Sequence, residues 1–158
     1  MDAIKNRRSI RRFLDKKVES KDIDVILQAG RWAPSGLNNQ PWKFQVLKEE
    51  KIKIADLTTS SKIINASSVC IAVFLDKGQG YNRDKDMQGI GACVQTMLLQ
   101  AYSIGIGSCW LGEILNKKDK FNKILLIPDS LELAAVVALG YPAESPVGNR
   151  KDLKELIL

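Results

Sequence analysis

Five cations, Lys5, Arg7, Arg8, Arg11 and Arg12, fall within eight positions near the start of the chain, with Ser9 set among them. Guanidinium groups make paired, charge-assisted bonds to phosphate oxygens, and a neighbouring hydroxyl adds a donor without adding charge. Arg7, Arg8, Ser9 and Arg11 are therefore a candidate anion site. Farther along lies Pro34-Ser35-Gly36-Leu37-Asn38-Asn39-Gln40-Pro41-Trp42. Its two prolines limit the backbone, Gly36 permits close approach to a flat ligand, and Ser35, Asn38 and Gln40 offer donors and acceptors. Each segment also has a plain reading. A basic cluster can be a solvated face, a kinase recognition sequence or a nucleic-acid arm, and a loop rich in Pro, Gly, Ser and Asn can be purely structural. No second basic stripe with interleaved aromatics supports a nucleic-acid module.

Composition narrows the chemistry. There is no histidine in the 158 residues, which removes the commonest general acid/base, the His-dependent triads, and the usual zinc and haem ligands. Such a protein either binds without chemistry or takes its chemistry from a cofactor. Cys70, Cys93 and Cys109 are odd in number, lack Cys-x-x-Cys spacing and sit in apolar surroundings, so they are expected to be reduced and packed. The net charge of +6 is concentrated at the N-terminal run, which favours one anion patch over a generally polyanion-coating surface. No signal-peptide core and no bilayer-length apolar run are visible, and a cytoplasmic protein is expected. A chain of this length can bury roughly 70% of its unfolded surface as a single domain spanning 1–158.

Nucleotide loops can be tested directly. Gly78-Gln79-Gly80, Gly89-Ile90-Gly91 and Gly105-Ile106-Gly107 each lack the third glycine of a Rossmann turn, and no Walker A sequence occurs. A bound phosphate would have to be held by side-chain cations.

The elements that must position these residues follow from apolar periodicity. Ser20 is a candidate N-cap for a helix with Ile23, Ile26, Leu27 and Gly30 on one face, ended by Pro34. Lys43–Leu47 alternates like a strand, and Glu49 to about Leu57 suggests a short helix. Ser68–Leu75 is a nearly continuous apolar, β-branched run, the pattern of a central strand covered on both faces. After the polar Asp76–Lys85 segment, Ile90, Val94, Met97, Leu98 and Ala101 keep the helical period of a core helix. Gly105 and Gly107 break it. A helix over Glu113–Leu125 and a buried strand over Leu131–Leu139, closed by Gly140-Tyr141-Pro142, complete helices over a mixed sheet.

Taken in order, Arg7-x-Ser9-x-Arg11, Pro34-Ser35-x-x-Asn38-x-Gln40-Pro41-Trp42, Gly105-Ile106-Gly107-Ser108-Cys109-Trp110-Leu111-Gly112 and Gly140-Tyr141-Pro142 with a basic residue beyond resemble the nitroreductase family of FMN-dependent oxidoreductases across nearly the whole chain. The resemblance implies an α+β fold in three α/β/α layers, a central mixed, mostly antiparallel sheet, and a homodimer. It implies that Arg7, Arg8, Ser9 and Arg11 grip the FMN phosphate and ribityl region with Arg150. Pro34, Ser35, Gly36 and Asn38 would come from the other subunit. Lys62 would lie near the flavin pyrimidine edge, where it or Arg11 would tune the ring, and Leu111 and Gly112 would present backbone to flavin N5. No side chain need be catalytic. NADH or NADPH would be the reductant and a nitroaromatic, quinone or similar electrophile the acceptor. The same scaffold could instead carry dehalogenation or dehydrogenation, or bind flavin without turnover. The helical insertion of longer members is absent here, where only Asp76–Lys85 separates strand from core helix.

Overall fold

Val69–Asp76 (β2) is buried at every position but its last because it has a neighbour on each edge and a helical layer on each face. The computed structural model, which describes residues 2–158, pairs it antiparallel with Trp42–Leu47 (β1) and Leu131–Gly140 (β4), and β4 pairs antiparallel with Gly107–Leu111 (β3). The strand order is β1-β2-β4-β3. Alternation along β2 divides the core in two. Val69, Ile71, Val73 and Leu75 join a cluster with Ile23 and Ile26 of helix Ser20–Arg31 (α2) and with Ile90, Cys93, Val94 and Met97 of helix Arg83–Ser103 (α5). Cys70, Ala72 and Phe74 join another, with Ile54 of Lys51–Ala55 (α3), Ile64 of Ser61–Ala66 (α4) and Phe121 of Lys118–Leu125 (α6). The result is the expected α+β, three-layer arrangement.

A bulge keeps the two faces in register. Val73 pairs with Ala135 but Phe74 pairs with Leu133, leaving Ala134 as the extra residue. Ala134 and Ala135 thus both serve the α2/α5 face, while Leu133 and Val136, three apart, both serve the other. Where α2 crosses α5, Gly30 lets the backbones close up. A Cβ there would fall 2.7 Å from Met97 Cγ and 3.1 Å from Cys93 Sγ.

Several element boundaries differ from the sequence expectation. Ser20 is the first residue of α2, and Glu19 occupies the cap with no side-chain bond. The expected Glu113–Leu125 helix is a 3-10 turn over Glu113–Lys117 running into α6. Strand β3 and helix α4 are additional elements, and the chain past Gly105 becomes a strand because β4 offers it an edge. All four strands are antiparallel, and the parallel component is the isolated bridge Ser9↔Ser108. With Ile10 N donating to Ser108 O at 2.9 Å and Phe13 bridging to Pro142, the N-terminal run covers the outer edge of β3. The Phe13 ring lies so close over Gly140 that a Cβ there would be 2.7 Å from Phe13 Cδ1. Cys70, Cys93 and Cys109 are free and buried, and burial pushes the Cys70 thiol up to about 11 and Cys93 up to about 12.

Candidate functional site

The cationic run is held in place by one carboxylate. Glu144 accepts from Arg11 N at 2.6 Å, Arg12 N at 3.1 Å and Arg12 Nε at 2.9 Å, while Ala143 N donates to Arg12 O at 3.0 Å. These bonds, led by the one from the Arg11 backbone, hold the Glu144 carboxyl below the usual carboxylate range. Arg12 is thereby paired, while Arg7, Arg8 and Arg11 have no ion-pair partner among the described residues.

Arg7 is the most anion-hungry of them. Its Nε is buried and has no hydrogen-bond partner among the described residues. Burial lowers its guanidinium pKa, and the positive charges of Arg150 and Arg8 lower it further. Arg8 also leaves its Nε unpartnered, but its Nη1 donates to Lys5 O at 2.7 Å and to Arg7 O at 2.9 Å, closing the end of helix Ala3–Asn6 (α1). The C-terminal tail passes directly over it, since a Cβ on Gly148 would be 2.9 Å from Arg8 Nε. Arg7, Arg8 and Arg150 therefore converge, and Ser9 sits beside Ser108 at the start of β3. A cleft of about 460 Å³ opens here, bordered by Arg7, Arg8, Tyr102, Gly105, Ser108 and the Arg12-paired Glu144. Arg11 is exposed, near enough to Cys109 for its charge to be felt there.

From Ser108, β3 runs away from the arginines to Leu111 and Gly112. Four strand steps span about 13 Å, so the cationic end and the Gly112 turn can lie under one elongated ligand. Leu111 buries its side chain in the core, leaving only its backbone for recognition. Gly112 is exposed, and a Cβ there would meet nothing within 4 Å, so packing within the chain does not require glycine. Next to it, the Glu113 carboxylate accepts from Thr58 Oγ1 and from Thr59 N at 3.0 Å. The Thr58 bond, then that from Thr59, keeps the Glu113 carboxyl below its ordinary range. This ties the Gly112 turn to the turn that opens α4, whose exposed Lys62 has no ion-pair partner among the described residues.

The proline-bounded loop is elsewhere. It packs on the N-terminal part of α5, where a Cβ on Gly89 would be 3.6 Å from Pro34 O and 3.7 Å from Ser35 Cα. Tyr102, which borders the arginine cleft, is 13 residues farther along the same helix, about 20 Å at 1.5 Å per residue. One chain therefore brings Arg7, Arg8, Ser9 and Arg150 together, with Leu111 and Gly112 farther along β3 and Lys62 on the helix whose opening turn is tied to Glu113, but not Pro34, Ser35, Gly36 and Asn38. The loop is also strained, with Leu37, Asn38 and Gln40 all at positive φ (54, 54 and 48°). Ser35 Oγ accepts from Gln40 N at 3.0 Å and fixes the turn. Trp42, which closes the motif, is core.

Composition and motif spacing did not reveal Glu113, Glu144 or Asp86. The last is 2% exposed and ties the loop's Asn39 to the turn before α5. Their partners are distant in sequence, and a lone carboxylate carries no local signature. Among the described residues no group of His, Cys, Asp and Glu could hold a metal, and no helix is long and apolar enough to cross a membrane.

A mutually repelling arginine cluster with two unpartnered Nε groups, a backbone strip leading from it, and open space over Gly112 suit a ligand with an anionic end. The chain is an α+β protein with a cationic cleft at one end of β3. The sequence matches the nitroreductase family over residues 4–68 and 56–141. It is 35% identical over 147 residues to a protein of Archaeoglobus fulgidus provisionally named NADH dehydrogenase/NAD(P)H nitroreductase, covering 89% of this chain and 84% of the relative. It is 31% identical over 150 residues to a protein of the same provisional name from Methanothermobacter thermautotrophicus, covering 92% and 78%. A crystal structure of a provisionally assigned nitroreductase from Desulfovibrio desulfuricans, in complex with FMN, superposes with a TM-score of 0.96 at 42% identity over 99% of this chain and 93% of that one. The chain belongs to the nitroreductase family.

Proposed function

We propose that this chain, a single domain over residues 1–158, is an FMN-dependent oxidoreductase that works as a homodimer and passes electrons from NADH or NADPH to nitroaromatics, quinones or similar small electrophiles. The observation that carries this reading is the convergence of Arg7, Arg8 and Arg150, none of them ion-paired among the described residues while the nearby Glu144 is taken by Arg12, at one end of a strand whose other end presents Gly112 to open space. When bound, FMN supplies hydride acceptance at N5 and delivery of the electrons to a second molecule. Arg7 and Arg150 hold its phosphate with the Ser9 hydroxyl, and Arg8 fixes the α1 end and the tail that bring them together. The Leu111–Gly112 backbone faces the ring, with Gly112 leaving room for it. Lys62 and Arg11 place positive charge by the pyrimidine edge, where reduction concentrates negative charge. A cation about 4 Å from such a charge contributes on the order of 4 kcal/mol at an effective dielectric constant near 20. Pro34, Ser35, Gly36 and Asn38 serve the site of the other copy, since their own arginine cluster is about 20 Å away along α5.

The test is the visible spectrum of the purified protein, with FMN supplied, before and after NADH or NADPH under anaerobic conditions. A flavin spectrum that bleaches on addition of nicotinamide and returns on addition of a quinone or nitroaromatic is expected. A protein that keeps no flavin colour once unbound FMN is removed ends the reading, and a yellow one that neither nicotinamide reduces ends the reductase version, leaving another flavin reaction or a flavin carrier.

A further inference from the structure

The segment between β2 and α5 is a tight turn built around Asp86. The buried carboxylate accepts from Tyr81 N and Asn82 N, both at 3.0 Å, and from Asn39 Nδ2 at 2.8 Å. Asn39 Nδ2 also donates to Gln79 O at 2.9 Å, and Asn82 caps α5 by accepting from Lys85 N at 3.1 Å. Gly80 wraps the carboxylate so closely that a Cβ there would be 2.8 Å from Asp86 Oδ2. The 79–82 turn and the proline-bounded loop are therefore one rigid body.

On that body, Tyr81 lies against Gly36. A Cβ on Gly36 would meet the Tyr81 hydroxyl first, then Cε1 at 2.6 Å and Cζ at 2.7 Å, so the glycine leaves room for the hydroxyl end of the ring. Tyr81 nonetheless remains 45% exposed, its hydroxyl bonds to nothing among the described residues, and Lys85 Nζ stands 5.6 Å from the ring centroid. An aromatic ring whose backbone is held in a turn, with part of its surface open to solvent and an ammonium over it, loses little entropy when a second ring stacks on it. We propose that Tyr81 is a specificity-determining residue of the reductase, the aromatic wall against which planar aromatic acceptors stack. Its contact with Gly36 would carry it to the neighbouring copy's site beside Ser35, Gly36 and Asn38. Lys85 favours acceptors whose substituents carry negative charge density, such as nitro or quinone oxygens. This rests on the reading above that the loop completes the other subunit's flavin site.

The experiment compares the FMN-loaded wild type with Tyr81→Ala, Tyr81→Leu and Tyr81→Phe, using NADH or NADPH, menadione as planar aromatic acceptor and ferricyanide as an acceptor that cannot stack. The ratio of kcat/KM for menadione to that for ferricyanide should fall about fivefold to tenfold in Tyr81→Ala and Tyr81→Leu, the scale of one lost stacking contact. It should stay within about twofold in Tyr81→Phe, which keeps the ring. An unchanged ratio in Tyr81→Ala overturns the proposal. So does recovery of the wild-type ratio by Tyr81→Leu, which fills the space over Gly36 but cannot stack. A protein without FMN, or one the nicotinamides do not reduce, removes the reductase reading and this inference with it. A reducible yellow protein with a flat Tyr81 series removes this inference alone.

Discussion

Arg7 shows how a residue can be arranged for a ligand at the expense of the unliganded fold. Its charge is partly removed from water, its Nε has no acceptor, and its nearest charged company is Arg150 and Arg8. A bound phosphate would answer all three conditions together, so Arg7→Gln should weaken FMN by about 100-fold, the loss typical of truncating one partner of a charged, hydrogen-bonded pair. Riboflavin, which lacks the phosphate, should lose less than about threefold, because the change touches only the tail end of the site. The apo form of Arg7→Gln should melt higher than wild type, since one of the mutually repelling cations is gone. Titration of the apoprotein with each flavin by fluorescence quenching, together with melting curves, reads all of this. Equal losses for FMN and riboflavin would move Arg7 away from the phosphate.

Among the elements, the start of β4 is where helices from the two faces of the sheet are tied together. Glu132 bonds Arg83 of α5 at 2.9 Å and Lys118 of α6 at 3.0 Å, and these partners, Arg83 first, pull its carboxyl down to about 2. A depressed carboxylate pKa contributes stability that is complete above the unfolded value of about 4.3 and disappears as pH falls through the folded value. Glu132→Gln should therefore unfold at lower urea than wild type at pH 6, with the difference shrinking steadily as pH falls and closing near pH 2. A gap that does not depend on pH would mean that the ion pairs carry nothing. Elements of this kind were unequally legible in the sequence. The continuous apolar run of β2 and the period of α5 announce themselves because many residues repeat one pattern. The six residues of α4 are too few to show a helical period, and β3 begins with Gly107, where the sequence suggests only a broken helix. The arginine cluster and the proline-bounded loop were visible because their chemistry is local. Tyr81 was not, since its meaning depends on Gly36, forty-five residues earlier, and on Asp86 beneath it.

At the scale of the whole molecule, if the loop and the arginines serve one flavin, as proposed, their separation along α5 would make the site an intermolecular object. Two copies related by a twofold axis would carry two equivalent sites, each taking the arginine cluster from one copy and the loop from the other. Two variants that damage opposite halves should then complement each other. Arg7→Gln removes the phosphate anchor. Asn38→Gly removes the loop's amide while glycine tolerates the positive φ that Asn38 adopts (54°). Each homodimer would have both sites damaged. If the two are unfolded together and refolded in equal amounts, half of the dimers are mixed, and each mixed dimer has one site with both wild-type halves and one with neither. FMN titration of the mixture should show tight sites at about a quarter of the wild-type number, absent when the variants are refolded separately and then combined without exchange. If the arginines and the loop served one flavin within a single chain, no pairing of the variants could restore a tight site, and the count would stay at zero.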